Sequence, residues 1–173
     1  IAEHKPVGET GEILVGAKSR LNEEWKYYYD SGSCFVNIST FYSVMRRIHF
    51  DIATVLETSS DIDVMVALWS YAAVDVYCNG RLEGALKQPV YKPIQKKELT
   101  LHLKAGRNLI YLACENLGVR DTRSVAGLQI LNHKDEIKVS IPDEACADAA
   151  AVAEAFLESA RLESNKLCFD SPA

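Results

Sequence analysis

The feature that most constrains the fold is an alternation of apolar and polar side chains along the middle of the chain. Leu99, Leu101 and Leu103 alternate with polar residues, the period of a half-buried strand. Residues 108–115 are apolar on both faces, which is typical of a central strand under cover. The alternation recurs in five further segments, at residues 48–52, 62–68, 74–78, 125–130 and 136–141.

Turn signals separate these segments, at Ser59-Ser60, Asn79-Gly80, Ala105-Gly106 and residues 132–135. Asn79-Gly80 favours a type I′ hairpin turn because both residue types tolerate positive φ. Short strands at this spacing, with no helical pattern between them, predict an all-β fold for residues 1–141. The architecture they indicate is a β-sandwich of jelly-roll type.

Both ends of the chain depart from this pattern. Residues 12–19 predict an edge strand, and the aromatic-rich residues 25–42 predict a strand, a loop and a second strand or turn. Asp143 is a suitable cap for a C-terminal α-helix of about five turns. We expect residues 142–173 to form a helical linker or docking segment toward a following domain. The alternative is that the helix packs on its own sheet. Its apolar face would contain Ala145, Ala149, Val152, Phe156 and Ala160.

Charge and hydropathy exclude some classes of partner. The formal net charge of -5 disfavours nucleic acid, although residues 81–123 carry a local surplus of positive charge and residues 143–163 of negative charge. No apolar run approaches the roughly 20 residues of a membrane helix, so we expect no membrane partner. Because the chain begins at Ile1 and not at Met, we expect it to be part of a larger protein.

The five cysteines lack any CxxC spacing, which argues against a zinc site and against a disulfide scaffold. Cys78 and Cys114 lie in apolar strand patterns and should act as small buried hydrophobes, although a bridge between them stays open. A reducing compartment, the cytoplasm, fits best. No metal or cofactor site is expected. No catalytic motif is present, and Asp61 and Asp63 are interpreted as solvated strand ends.

Residues 68–130 carry a more specific pattern. A strand runs into Asn79-Gly80, followed by a basic residue and a second Gly, then by a Tyr-x-Pro segment and by "LKAGRNLIYLACEN". The matching positions are Val74, Val76, Asn79, Gly80, Arg81, Gly84, Tyr91, Pro93, Leu103, Lys104, Gly106, Asn108, Leu109 and Asn116. This pattern resembles the galactose-binding-like jelly-roll domains of bacterial glycoside hydrolases, such as the sugar-binding domain of β-galactosidases and the accessory domains of rhamnosidases.

The resemblance implies a non-catalytic accessory domain of a larger carbohydrate-active enzyme. Such a domain would pack beside the catalytic domain of the same chain and shape its sugar cleft. Two alternatives stay open, an autonomous carbohydrate-binding module and a protein-interaction domain.

Sugar binding needs aromatic faces together with planar polar groups. Trp69 is out of phase with the inward residues of its strand and should point away from the core. Tyr71, Asn79 and Arg81 are expected to share an end of the sandwich with it. The alternative is that Trp69 packs under a loop or against a neighbouring domain.

A second group of candidates lies in one long loop, at Arg120, Asp121 and Arg123. Arg–Asp pairs could brace this loop, and two guanidinium groups could instead grip a carboxylate or an acidic sugar. Carbohydrate is the expected ligand. Its candidate contacts are Trp69, Tyr71, Asn79 and Arg81 together with Arg120, Asp121 and Arg123.

Overall fold

The computed structural model of the chain describes residues 13–28, 33–163 and 166–168. The described residues form eleven strands and one α-helix, together with a short 3-10 turn at Lys134–Glu136. The strands are β1 (Val36–Asn37), β2 (Tyr42–Thr58), β3 (Ile62–Ser70), β4 (Ala73–Cys78), β5 (Arg81–Leu86), β6 (Gln95–Leu103), β7 (Gly106–Arg120), β8 (Val125–Ile130), β9 (Lys138–Ser140), β10 (Arg161–Glu163) and β11 (Lys166–Cys168). The helix is α1 (Glu144–Glu158).

Nine of these strands form two antiparallel sheets. The four-stranded sheet has the order β1-β8-β3-β6, and the five-stranded sheet has the order β5-β4-β7-β2-β9. From β2 to β9 the chain passes repeatedly from one sheet to the other, as in a jelly roll. The predicted all-β sandwich is confirmed, and β7 lies between β4 and β2 as predicted for a central strand.

The core lies between the inner faces of the two sheets. Val64, Val66 and Leu68 of β3 have no exposed surface, and they pack with the inward residues of β4, β6 and β7. Burial of such side chains stabilises the fold by about 1.5–3 kcal/mol each. Met65 and Trp69 alternate with these residues along β3 and therefore point to the outer face of the four-stranded sheet.

The sandwich has two ends, which are named here by one residue each. At the Trp69 end, β3 passes into β4 through residues 71–72, and β7 passes into β8 through residues 121–124. The loop of residues 87–94 lies at this end too, because it follows β5 and precedes β6. At the Asn79 end lie the turns of residues 59–61, 79–80 and 104–105.

The Asn79-Gly80 turn is built as the sequence predicts. Asn79 and Gly80 have φ values of 50° and 79°, the positive values that a type I′ turn needs. The Asn79 amide donates to Asn108 Oδ1 at 2.8 Å, and its own oxygen accepts from Leu109 N–H at 2.9 Å. Asn108 is fully buried and donates in turn to the carbonyls of Lys104 and Gly106. The turn is thus fastened to the neighbouring β6–β7 turn.

The N-terminal segment differs from its prediction. Residues 13–19 form turns and one isolated bridge between Lys18 and Glu24, and the expected edge strand is absent from this part of the described chain. The segment covers the outer face of the five-stranded sheet, where Trp25 meets Tyr111 edge-on with ring centroids 6.1 Å apart. Of the predicted strands in residues 25–42, only β1 and the start of β2 form among the described residues.

The C-terminal helix spans 15 residues, about one turn fewer than expected, and Ala160 lies beyond its end. Glu144 forms an ion pair with Arg107, and Tyr27 donates a hydrogen bond to Glu154, so the helix contacts its own sandwich. Val152 is 57 % exposed. The side chain of Phe156 lies outside the described set, and docking of residues 142–173 on a following domain stays a prediction. No described helix is long and apolar enough to cross a membrane.

Three cysteines have described side chains, and all three are free thiols. Cys78 and Cys114 are buried, as expected, and the bridge between them that the sequence left open does not form. Burial raises the pKa of the Cys78 thiol to about 11, and it raises the pKa of Cys114 well above its ordinary value. Both thiols are therefore neutral hydrophobes at physiological pH.

Candidate functional site

Trp69 points away from the core, as predicted. Its neighbour Leu68 is fully buried, and Trp69 lies opposite Lys96 of β6 and Gly127 of β8 on the outer face of the four-stranded sheet. The indole is partly exposed. Gly127 has no side chain to pack against the indole from β8. The Phe35 ring occupies that space, and its nearest atom lies 2.8 Å from the position that a Cβ of residue 127 would have.

Polar groups hold the indole on both sides. The Lys96 ammonium lies 5.4 Å from the centre of the Trp69 ring, and Lys96 also bonds Glu98 at 2.8 Å. The indole N–H donates to Gln129 Oε1 at 3.4 Å. The face thus combines an aromatic ring with a cation and a planar amide, the groups that bind the apolar faces and the hydroxyls of a sugar.

Tyr71 continues the line of β3 at the Trp69 end. Its backbone is fixed by hydrogen bonds with Val125 and Val90. Arg123 Nη1 donates to the Tyr71 hydroxyl at 3.2 Å, and the guanidinium carbon lies 5.7 Å from the ring centre. Tyr71 and Arg123 form one unit, and together with Trp69 and Lys96 they are here called the aromatic–cation site.

The loop that contains Arg123 is not braced as the sequence suggested. Arg120, Asp121 and Arg123 form no ion pairs with one another in the described structure. Thr122 braces the loop instead, because its hydroxyl accepts from Val119 N–H at 2.6 Å and faces the carbonyls of Val119 and Leu117. Arg120 and Asp121 are exposed beside it, and Arg120 has a φ of 51°.

Asn116 supplies the second brace from within β7. Its amide donates to the carbonyl of Arg123 at 2.9 Å and to the Ser124 hydroxyl at 3.3 Å. The buried Asn116 side chain therefore fixes the backbone of Arg123. From that position the Arg123 guanidinium reaches the Tyr71 hydroxyl.

Asn79 and Arg81 lie at the opposite end from Trp69 and Tyr71, and the expectation that the four residues share one end is wrong. The six residues of β4 carry the chain about 20 Å along the sandwich between them. The Asn79 amide is used within the turn, and Arg81 pairs with Glu83 at 3.2 Å. Neither residue lies beside Trp69.

An open hollow of about 780 Å³ lies beside Asn79 and Arg81. Its acidic side chains are paired with bases, Asp61 with Lys104 at 2.8 Å and Asp63 with His102 at 2.6 Å. The hydrogen bond from Lys104 lowers the pKa of Asp61. Asp61 and Asp63 are 61 % and 69 % exposed, so the interpretation as solvated strand ends is confirmed.

A second cavity, of about 570 Å³, lies between the N-terminal segment and β2. Trp25, Tyr28 and Asp51 are among its lining residues. Asp51 is almost fully buried and accepts hydrogen bonds from Arg20 and from the Tyr111 hydroxyl, both at 2.6 Å. Burial, followed by the bond to Asp51, raises the pKa of Tyr111. Sequence reasoning missed this cavity, although the aromatic run at residues 25–28 was a signal for it.

Two further aromatic–cation contacts were missed at the Trp69 end. Lys92 lies 5.6 Å from the centre of the Tyr91 ring, and Arg46 lies 5.9 Å from that of Tyr42. Tyr91 is 70 % exposed. In the described structure, no group of three or more side chains is arranged to hold a metal ion.

The sequence matches no protein-family profile and no curated protein. Among solved structures, the chain is similar to a family 35 carbohydrate-binding module from an environmental isolate. The two chains are 19 % identical, the similarity covers 59 % of this chain and 75 % of that one, and the TM-score is 0.38. The class of protein defined by the sheets themselves is the antiparallel β-sandwich of jelly-roll type.

Proposed function

We propose that the chain is a non-catalytic carbohydrate-binding β-sandwich whose ligand lies against the aromatic–cation site. The observation that supports this most is the placement of Trp69, a partly exposed indole on the outer face of a rigid sheet, between Lys96 and Gln129. A sugar stacks its C–H face on an aromatic ring while amides and cations bind its hydroxyls. Tyr71 extends the same surface by a second ring.

The finer proposal is that this domain accompanies a glycoside hydrolase domain of the same polypeptide. Its support is the resemblance of residues 68–130 to the accessory domains of such enzymes. A glycosidase needs two carboxyl groups that face a substrate across a cleft. Asp61 and Asp63 are bound instead to Lys104 and His102. A location in the cytoplasm stays a prediction.

Calorimetric titration with a panel of oligosaccharides tests the proposal. Wild-type protein should bind at least one of them, and Trp69→Ala should abolish that binding while circular dichroism shows an unchanged fold. Met65→Ala is the matched control, because Met65 lies on the same face of the same strand, is 44 % exposed and has no aromatic or cationic partner in the described structure. This control should bind as the wild type does.

Flat titrations across the panel would contradict the proposal. They would favour the alternative in which the sandwich only packs beside a catalytic domain. Equal losses in Trp69→Ala and Met65→Ala would also contradict it, since the indole would then have no particular role.

A further inference from the structure

We infer that the ligand of the aromatic–cation site is an acidic sugar, one that carries carboxylate or sulfate groups. This inference rests on the proposed carbohydrate function and narrows it to a class of ligand. It is carried by the way positive charge is distributed between the two ends of the sandwich.

Four cations at the Trp69 end lie against aromatic rings. All four cation–ring contacts in the described structure lie at this end, and they join Arg46 to Tyr42, Lys92 to Tyr91, Lys96 to Trp69 and Arg123 to Tyr71. A ring attracts a cation by its quadrupole and does not neutralise the charge. Arg46, Lys92 and Arg123 therefore keep their attraction for an anion, whereas Lys96 also binds Glu98 at 2.8 Å.

The Asn79 end is arranged differently. There, Lys104 binds Asp61, Arg107 binds Glu57 and Arg81 binds Glu83. Their charges are compensated by carboxylates of the same domain. The two ends thus differ, because Arg46, Lys92 and Arg123 at the Trp69 end have no carboxylate partner in the described structure.

The Trp69 end is also short of acidic residues. The segments that form it, residues 38–47, 69–73, 86–98 and 115–125, contain eight Lys or Arg and three Asp or Glu. Two of those acids, Glu98 and Glu115, pair with Lys96 and Arg47. A domain with a net charge of -5 therefore concentrates positive charge at the end that carries Trp69 and Tyr91.

Arg123 has the geometry to bind an anion. Its guanidinium is exposed and held by the Tyr71 hydroxyl through one nitrogen, Nη1. No carboxylate in the described structure binds it. A guanidinium has five N–H donors, so several remain for a carboxylate or sulfate, which it binds with two parallel hydrogen bonds. Lys96, whose ammonium also binds Glu98, lies on the neighbouring Trp69 ring as a second cation.

Single-stranded nucleic acid is the other ligand class that aromatic rings and cations can bind together. Its bases stack on aromatic side chains, and its phosphates attract positive charge. The net charge of -5 favours a sugar, because nucleic-acid binding depends on an extended basic surface along the phosphate backbone. The test therefore includes nucleic acid as one of its arms.

The experiment titrates matched probes that differ in charge. Tetragalacturonate is compared with its carboxyl-reduced, neutral counterpart, and dextran sulfate with dextran. These pairs are accompanied by a wider panel of acidic and neutral oligosaccharides and by oligodeoxythymidylate. We expect acidic probes to bind and their neutral counterparts to bind at least tenfold more weakly. The carboxylate and sulfate arms identify which anion is preferred.

Arg123→Gln should weaken binding of the acidic probe by about tenfold or more, the loss expected for one charge-assisted pair. Arg81→Gln is the control, since it removes the same group from the opposite end, and it should bind as the wild type does. Raising NaCl from 50 to 500 mM should weaken binding of the acidic probe.

The outcomes separate the two proposals. Binding of neutral sugars as tight as that of acidic ones, with loss in Trp69→Ala, would overturn the inference and leave carbohydrate binding intact. Absence of binding to every sugar would overturn both. Tighter binding of oligodeoxythymidylate than of any acidic sugar would overturn the inference in favour of nucleic acid.

Discussion

Asn108 should contribute more to stability than any other single polar side chain of the Asn79 end. It is fully buried, its oxygen accepts from Lys104 N–H and from the Asn79 amide, and its nitrogen faces the carbonyls of Lys104, Gly106 and Leu56 at 2.7, 3.1 and 3.3 Å. Asn108→Asp keeps the shape and the acceptor but removes both N–H donors.

The expected cost follows from the carbonyls that lose a donor. An amide has two protons, so two buried or partly buried carbonyls lose their donor, and each unsatisfied group costs about 1–3 kcal/mol. We expect the free energy of unfolding to fall by about 2–4 kcal/mol, which lowers Tm by about 5–15 °C in a domain of this size. Urea denaturation followed by circular dichroism measures the change.

The pH dependence of this variant adds a second test. Burial should raise the pKa of the new carboxyl above its unfolded value, because the charged form is the costly one. Stability of Asn108→Asp is then greatest below the unfolded pKa and is lost as pH rises through the folded pKa.

Asn132→Asp is the matched control for Asn108→Asp. In the part of the chain that the structure describes, Asn132 uses only its oxygen, which accepts from Met65 N–H at 2.8 Å, so the carboxylate preserves this bond. Its free energy of unfolding should change by less than about 0.5 kcal/mol. Equal losses of stability in the two variants would refute the reasoning.

Two further substitutions test the packing of the sheets. Gly118→Ala should lower the free energy of unfolding by about 1–3 kcal/mol, because its Cβ would lie 2.8 Å from a neighbouring side chain, whereas Gly84→Ala meets its nearest neighbour at 3.5 Å and should cost less. Chemical denaturation of both variants measures this, and equal costs would contradict it. Tyr111→Phe should lower stability by about 1–2 kcal/mol at pH 7, since the hydroxyl binds Asp51. The raised pKa of Tyr111 means that the wild type loses stability as pH rises above about 10, whereas this variant should lack that loss. Parallel wild-type and variant curves from pH 8 to 11 would contradict the second expectation.

Local patterns predicted the sandwich well. The alternation of residues 62–68 and 99–103 follows directly from the two-residue period of a strand, and the Asn79-Gly80 turn follows from the φ values that its residues tolerate. The orientation of Trp69 was predictable for the same reason, since it depends only on the phase of β3.

Contacts between residues that are distant in the sequence could not be predicted as well. The irregular N-terminal segment is held by contacts such as Trp25 with Tyr111, which no local pattern encodes. The partnership of Tyr71 with Arg123 depends on two connections that meet only in the folded sandwich. The position of Asn79 could have been predicted correctly, because a whole strand separates it from Tyr71 and carries it to the opposite end.

The most direct test of the central claim is the fluorescence of Trp69 itself. The chain has two tryptophans, and Trp25→Phe leaves Trp69 as the only one. A sugar that stacks on this indole should shift its emission, and the titration should give the same Kd as calorimetry. The companion variant Trp69→Phe, which keeps only Trp25, should show no shift. Calorimetric binding without an emission change in Trp25→Phe would contradict the account, as would a shift that persists in Trp69→Phe.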